Sequence, residues 1–298
     1  MANTIGWGQA AVNNTIDWGK GKTNNTIGWG TIYSSSPYGD TDLVGTPAVD
    51  TDAQAFITAA AITDATQKSA IDKLVVDLKG YGIWSKMNAI YPFCGGTASA
   101  HKFNLKNPID SNAAYRLTFS GGWVHSANGI TGNGTNTFAN TFLNYTTLNS
   151  GHQSIYSRSN VLETSTSYDM GAYNNGNTWQ LLSLYTQNLR QFLGGFNSDS
   201  QPRATMLDSR GLFVNNRTGA AAANLWRNGV KLIQSTQAVS AIPNLNNYIG
   251  GLNQVGTAQG YANKTFAFSS IGDGLTDTEA ANYYTAVQTF QTTLSRNV

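Results

Sequence analysis

From Lys102 to the end of the chain, apolar residues occur in short runs that Asn and Gly interrupt every few residues. Short runs rich in β-branched and aromatic residues, separated by turn residues, are typical of β-strands. The pattern predicts a mainly β fold, a sandwich of sheets that begins at about residue 95. The predicted strands are Tyr115–Phe119, Ser154–Ser157, Trp179–Tyr185, Gln191–Phe196, Leu212–Asn215, Asn224–Arg227, Val230–Ile233 and Thr265–Ile271.

One β-hairpin has a specific local signal. Asn228-Gly229 lies between Trp226-Arg227 and Val230. A type I′ turn needs positive φ at two successive residues, and Asn-Gly is the dipeptide that adopts it most readily. We therefore expect the chain to reverse at Asn228-Gly229.

The N-terminal region contains a repeat. The motif Asn-Thr-Ile-Gly/Asp-Trp-Gly begins at Asn3, Asn14 and Asn25, with a spacing of eleven residues. An eleven-residue period also occurs in right-handed coiled coils, but the Gly, Asn and β-branched residues of every repeat oppose a helix. We expect extended or looped segments that bury their Ile and Trp side chains against another protein, a disordered tail being the alternative. The candidate anchoring residues are Ile5, Trp7, Ile16, Trp18, Ile27 and Trp29.

Four helical patterns flank the predicted strands. Residues 52–57 begin one helix, and Asp64 with Gln67 resembles the capping box of a second helix that ends at Gly80. Met87–Phe93 is predicted to complete a helical neck. Thr276-Asp277-Thr278-Glu279 is the capping box of a terminal helix. We expect a repeat arm and linker at 1–48, the helical neck at 49–94, and the sandwich with its terminal helix at 95–298.

The composition excludes several classes of partner. Only 11% of residues are charged, against about 25% in a typical protein, and the net charge is +2 without a Lys/Arg cluster. We therefore expect no nucleic-acid binding. No apolar stretch is long enough to insert into a membrane, and the start of the chain lacks the pattern of a signal peptide.

Few residues carry an obvious chemistry. Glycoside hydrolases commonly use a pair of carboxyls, and alternate residues of one strand can place such a pair on the same face. The only glutamates of this chain are Glu163, six residues before Asp169, and Glu279, which the helix cap accounts for. We therefore predict no catalytic residues, no cofactor and no enzymatic activity.

Metal and thiol chemistry are not expected either. The three His residues lack the spacing of a zinc site, so no metal ligands are assigned, although Asp- and Asn-rich loops leave room for calcium. The lone Cys94 has apolar neighbours and is predicted to be a buried, unreactive thiol.

Three motifs follow one another in the C-terminal half: Trp226-Arg227-Asn228-Gly229-Val230, then Tyr248-Ile249-Gly250-Gly251, then Ile271 to Glu279 with its Leu-Thr-Asp-Thr-Glu helix start. Their order resembles that of concanavalin A-like lectin/glucanase domains of the laminin-G type, over about residues 95–298. This resemblance implies a jelly-roll sandwich. The repeats and neck in front of it look like bacteriophage fibre, spike or tail proteins, which implies attachment to the particle through the N-terminus.

The resemblance leads to a functional hypothesis. We expect a virion surface protein, assembled in the host cytoplasm, that contacts capsid, portal or tail proteins through residues 1–36. A homotrimer is expected because the helix after Asp64 has an apolar stripe. The displayed domain is expected to bind a host surface glycan through Trp123, His125, Tyr173 and Trp179, although such side chains are more often part of a core. The alternatives are a carbohydrate-active enzyme and a cellular surface lectin.

Overall fold

The structure is a computed structural model that describes residues 24–27, 30–33, 48–176 and 178–298. The chain divides into two units, Met1–Ala48 and Val49–Val298. In the first unit, strands β1 (Asn24–Ile27) and β2 (Gly30–Tyr33) pair antiparallel. The anchoring candidate Ile27 lies in β1. The other five, Ile5, Trp7, Ile16, Trp18 and Trp29, lie outside the described residues, so their burial stays a prediction.

The second unit contains helices at both ends and strands between them. Its helices are α1 (Thr51–Ala59), α2 (Ala65–Gly80), α3 (Ala98–His101) and α4 (Asp277–Thr293). Its strands are β3 (Met87–Tyr91), β4 (Thr118–Ser120), β5 (Val124–Ser126), β6 (Gly129–Thr131), β7 (Phe138–Asn144), β8 (Gly151–Ser157), β9 (Met170–Tyr173), β10 (Trp179–Leu184), β11 (Gln191–Ser198), β12 (Arg203–Thr205), β13 (Gly211–Gly219), β14 (Ala222–Arg227), β15 (Val230–Ser235), β16 (Asn246–Ile249), β17 (Leu252–Gln254), β18 (Thr257–Gln259) and β19 (Thr265–Gly272).

The strands form two large sheets. In the described part of the chain, the first sheet has the order β12-β11-β10-β9-β16-β7-β4, and β17 and β18 extend it beside β9. The second sheet has the order β15-β14-β13-β8-β19-β6-β5, and β3 pairs with β19. Nearly all of these pairs are antiparallel, with β17 and β9 parallel. The predicted mainly β sandwich is confirmed.

The second sheet is buried on both faces. In β13, Phe213 belongs to the core between the sheets, whereas Leu212 and Val214 belong to a second core on the opposite face. Alternate residues of a strand point to opposite faces, so one apolar run serves both cores. Helices α1, α2 and α4 cover the outer face, and the second unit therefore has three layers in the order helices, second sheet, first sheet.

The helix starts follow the predicted capping chemistry. Asp64 accepts a hydrogen bond from the Gln67 amide at the start of α2, and Thr276 and Glu279 form both halves of a capping box at α4. The chain reverses between β14 and β15 as predicted, with positive φ at Asn228 and Gly229.

The prediction of a helix at Met87–Phe93 is wrong. Residues 87–91 form β3, whose Ile90 lies opposite Ser270 of β19. Tertiary pairing decides the conformation here, because four of the five residues are buried against neighbours that a strand can reach on both faces.

The apolar stripe of α2 is used within the chain. Ile71, Leu74, Val75 and Leu78 are each at most 1% exposed and pack in the core beneath the helical layer. Because these side chains are buried within one chain, they are not available for contacts between chains. The homotrimer remains a prediction, but the stripe of α2 does not support it. Among the described residues, no helix has the length and apolarity needed to cross a membrane.

A chain of buried amides connects the two sheets. Gln153 of β8 donates to Asn247 of β16, Asn247 donates to Gln180 of β10 at 2.9 Å, and Gln180 donates to Asn197 of β11 at 2.6 Å. All four side chains are fully buried. A buried amide costs free energy unless it is hydrogen-bonded, so this network is stable only when complete.

Replacing Gln180 by Leu should lower the free energy of unfolding by about 2–4 kcal/mol, because Asn197 Oδ1 and Asn247 Nδ2 would each lose a partner in the core. Urea unfolding of the variant measures the change. Gln234→Leu is the matched control on the exposed side of β15 and should change stability by less than about 0.5 kcal/mol. Equal effects of the two variants would contradict a role for the network.

Candidate functional site

Two of the glycan-binding candidates form an aromatic stack. Tyr173 and Trp179 are cross-strand neighbours on β9 and β10, with ring centroids 3.7 Å apart and ring planes 10° apart. Tyr168 extends the stack, with its centroid 6.4 Å from that of Trp179. A sugar ring between two aromatic planes needs about 3.5–4.0 Å on each side, so it does not fit between Tyr168 and Trp179. These half-buried rings can offer a ligand only their outer surfaces.

The other two candidates lie elsewhere. Trp123 donates from Nε1 to the Phe138 carbonyl at 3.1 Å and packs against the core between the sheets. A Cβ atom at residue 250 would lie 2.5 Å from the Trp123 ring, so Gly250 is needed for this packing. His125 lies edge-on to Phe119, with centroids 4.6 Å apart. The structure therefore does not bring Trp123 and His125 together with Tyr173 and Trp179 in one site.

His125 also pairs with a second histidine. The Nδ1 atoms of His101 and His125 are 3.0 Å apart, and the Gly96 amide donates to His101 Nε2. Since Nε2 accepts, the proton of neutral His101 must reside on Nδ1, which donates to His125 Nδ1. Burial, together with the neighbouring His125, lowers the pKa of His101 to about 3.

A buried group of three charges lies next to the ends of strands from both sheets. Lys264 immediately precedes β19, Asp169 immediately precedes β9, and Glu163 lies in the connection between β8 and β9. Lys264 Nζ is 3.0 Å from Asp169 Oδ1 and 3.5 Å from Glu163 Oε1, and it also donates to the Leu184 carbonyl. Burial raises the pKa of Asp169 to about 6, while the Lys264 ammonium opposes this rise.

Glu163 differs from Asp169 in its access to solvent. Asp169 is fully buried, and its Oδ2 accepts from the Leu184 amide at 2.6 Å. Glu163 is 8% exposed, and its Oε1 accepts from the Asn263 amide at 2.9 Å. Among the described residues, Glu163 Oε2 has no hydrogen-bond partner. A nearly buried carboxylate thus retains one free acceptor.

This carboxylate lines a cavity of about 260 Å³, here called the Glu163 pocket, which residues 133–134, 161–165, 261 and 263 enclose. Tyr261 forms one wall with a half-buried ring, and its hydroxyl donates to the Ala258 carbonyl at 2.8 Å. Asn133 is committed to its own turn, because its Oδ1 accepts from the amides of residues 135 and 136. The free polar groups of the pocket are therefore Glu163 Oε2 and the exposed side chains of Thr164, Ser165 and Asn263.

The aromatic stack ends close to this pocket. The Tyr168 amide donates to the Gly260 carbonyl, and a Cβ at residue 260 would lie 2.5 Å from the Tyr168 ring. Gly260 adjoins Tyr261, the wall of the pocket. The stack and the pocket therefore meet at residues 260–261.

The sequence analysis considered Glu163 and Asp169 as a pair but missed the groups that give Glu163 its position. Lys264 is 95 residues from Asp169 along the chain and the Asn263 amide is 100 residues from Glu163. No local pattern connects such distant residues. Within the described residues, no three His, Cys, Asp or Glu side chains are grouped to hold a metal ion. Cys94 is buried, and burial raises the pKa of its thiol to about 11, as expected for an unreactive side chain.

Solved structures with a similar fold come from proteins that act on carbohydrate. A mutant of Trypanosoma rangeli sialidase with trans-sialidase activity is 14% identical, with a TM-score of 0.51, over 74% of this chain and 39% of that chain. Domain 4 of AbnA, an extracellular arabinanase of Geobacillus stearothermophilus, in complex with arabinotriose, is 14% identical, with a TM-score of 0.46, over 66% of this chain and 98% of that one. At these identities the likeness concerns the fold. No protein-family model matches the chain, and no curated protein matches its sequence.

The prediction that the protein is not an enzyme is contradicted, because the sialidase shows that a fold similar to this one occurs in a carbohydrate-active enzyme. The prediction relied on the small number of glutamates and on one arrangement of carboxylates along a strand. Sialidases use a Tyr nucleophile, so a glutamate count does not exclude hydrolysis. The placement on a bacteriophage particle and the concanavalin A-like assignment are not tested by these structures and stay predictions.

The buried histidines should make the folded protein less stable at acidic pH. Burial lowers the pKa of His101 to about 3 and that of His152 to about 4, so both stay neutral in the folded protein at pH 5. In the unfolded chain they bind protons below a pH of about 6.5, so each should remove roughly 2 kcal/mol of stability between pH 7 and pH 5. Asp169, whose pKa is raised, acts in the opposite direction by roughly 1 kcal/mol.

The expected net result is a lower free energy of unfolding at pH 5 than at pH 7, measured by urea unfolding. Imidazole NMR signals should assign neutral rings to His101 and His152 at pH 5. Protonated rings in the folded protein at that pH would contradict the assignment.

Proposed function

We propose that the β-sandwich binds carbohydrate in the Glu163 pocket. The observation that carries this proposal is the Glu163 carboxylate, which is 8% exposed, is fixed through one oxygen and lines an open cavity with the other oxygen free. An unpartnered acceptor in such a place gains most from a ligand with hydrogen-bond donors. The fold shared with a sialidase is consistent with a carbohydrate ligand.

The remaining walls of the pocket suit a sugar ring. Tyr261 presents an aromatic ring, which can cover the apolar face of a pyranose. Thr164, Ser165 and Asn263 add hydroxyl and amide groups that both donate and accept hydrogen bonds to sugar hydroxyls. A cavity of about 260 Å³ is close to the lower end of the usual range for small-molecule sites, which favours one or two sugar units.

A longer glycan would leave the pocket past Tyr168. This ring lies against Gly260, next to Tyr261, and its stack with Trp179 and Tyr173 continues along the first sheet. The outer surface of the stack would then contact further sugar units. The glycan-binding role predicted for Tyr173 and Trp179 is thus proposed as an extension of the pocket, whereas Trp123 and His125 serve packing in the described structure.

A single pocket of this size should bind weakly, with a dissociation constant of about 1 mM. Display of many copies on one particle would raise the effective affinity by orders of magnitude. The virion surface protein predicted from the N-terminal repeats would supply such a display, and this placement is proposed on the sequence pattern alone.

Glycan-array screening followed by calorimetry tests the proposal. The wild-type protein should bind at least one glycan, and Tyr261→Ala should weaken that binding about tenfold or more through loss of the aromatic wall. Tyr81→Ala is the matched control, because Tyr81 is 39% exposed at the end of α2 and does not line the pocket. A wild-type protein that binds no glycan on a broad array would refute the proposal.

Hydrolysis of a glycan is a second candidate function, and one observation favours it. Glu163 and Asp169 each place an oxygen within 3.5 Å of the same Lys264 nitrogen, so a second, buried carboxyl adjoins the one that lines the pocket. Glycoside hydrolases commonly use such a pair, one carboxyl acting as an acid. Because Asp169 is fully buried, its participation requires the 163–169 segment to move.

Product analysis after incubation with the bound glycan tests this second function. Hydrolysis by the wild type should be lost in Glu163→Gln and retained in Asp199→Asn, which removes an exposed carboxylate outside the pocket. Binding of a glycan without any release of product would leave carbohydrate binding as the function.

A further inference from the structure

We propose that the Glu163 pocket selects a sugar unit with a positively charged amino group over the N-acetylated and the acidic forms of the same sugar. This inference deepens the proposed carbohydrate binding and rests on it. It concerns the chemical class of the ligand, which the fold does not determine.

The charge inventory of the pocket supports the inference. Of the residues that enclose the cavity, Glu163 alone carries a charge, and the others are neutral. A carboxylated sugar would therefore meet one like charge at close range and no cation among the lining residues. A sugar ammonium would instead form a charge-assisted hydrogen bond with the free Oε2, and such bonds are roughly twice as strong as neutral ones.

Lys264 does not cancel the charge of Glu163. Its ammonium is 3.0 Å and 3.3 Å from the two oxygens of Asp169 but 3.5 Å from the nearest oxygen of Glu163. It also donates to the Leu184 carbonyl and is fully buried, so it does not turn toward the cavity. One cation is thus shared by two carboxylates. When all three groups are ionised, the cluster has one excess negative charge, and the carboxylate on the solvent side is Glu163.

Burial increases the effect of this charge. Interactions between exposed charges are weakened by water and salt, whereas Glu163 is nine-tenths buried. The whole protein has a net charge of +2, so long-range attraction does not favour a cationic glycan. A preference for the amino sugar would therefore have to originate locally, at the pocket.

The test compares three β-linked hexamers with the full-length protein by calorimetry at about pH 6.5 and about 50 mM salt. They are the hexamers of glucosamine, of N-acetylglucosamine and of glucuronic acid, which share the gluco configuration and the β(1→4) linkage. The wild type should bind the glucosamine hexamer roughly tenfold more tightly than the acetylated one, and the acidic hexamer most weakly. Glu163→Gln keeps the acceptor for the Asn263 amide and should reduce the tenfold ratio to near one.

Two further variants keep the test decisive if Glu163→Gln folds poorly. Thr164→Lys places a cation on the exposed rim of the pocket without removing a hydrogen bond between described side chains, and it should likewise remove the preference for the glucosamine hexamer. Asp199→Asn removes an exposed carboxylate away from the pocket and should leave the preference intact.

The outcomes separate this inference from the proposed function. If the wild type binds the acetylated or acidic hexamer as tightly as the glucosamine hexamer, or if the preference survives in Glu163→Gln and Thr164→Lys, the inference is wrong while carbohydrate binding stands. If the wild type binds none of the hexamers and no glycan on an array, the proposed function itself fails.

Discussion

The Lys264 ammonium is the interaction on which the candidate site depends. From its position just before β19, it contacts the residue before β9, the end of β10 and the connection that contains Glu163. Because the side chain is fully buried, removing it would leave two carboxylates without a counter-charge, and breaking a buried ion pair costs about 3–5 kcal/mol. The interior of the protein therefore fixes the position of Glu163, and one carboxylate oxygen of this pocket-lining residue has no hydrogen-bond partner among the described residues.

Uncharged amides also contribute to the core. The buried polar side chains of the described residues include many Asn and Gln. Their amides both donate and accept, so Gln153, Asn247, Gln180 and Asn197 can form a continuous chain from one sheet to the other. Such a network specifies how the sheets face each other, since a shift of one residue would leave each amide without its partner. Hydrogen bonds between uncharged amides can thus fix the alignment of the two sheets, so no charged side chain has to be buried for that purpose.

The sequence was informative where the signal is local. Asn228-Gly229 predicted a turn, and Thr276 with Glu279 predicted a helix start, because each depends on residues at most three positions apart. Among the strands that were missed, β7, β9 and β16 contain Asn, Gly or Thr where apolar residues are expected. Asn247 illustrates the reason: it occupies an inward position in β16 as a member of the amide chain, so its strand does not have an apolar alternation.

The site was harder to predict than the fold, and the aromatic residues explain why. Trp123, Tyr173 and Trp179 were selected because an aromatic ring can stack on a sugar, but the same ring can stack on another ring or on a glycine. In the folded protein, contacts within the chain cover most of the surface of these rings. The ring centroids of Trp179 and Tyr173 are 3.7 Å apart, and the Trp123 ring packs against Gly250. The residue type thus shows only which contacts a side chain can make. A ligand-binding site needs a side chain that still has a free surface or a free hydrogen-bonding atom in the folded protein. Glu163 meets that condition through its free oxygen, and its environment results from Lys264 and Asn263, which are about 100 residues away in the chain.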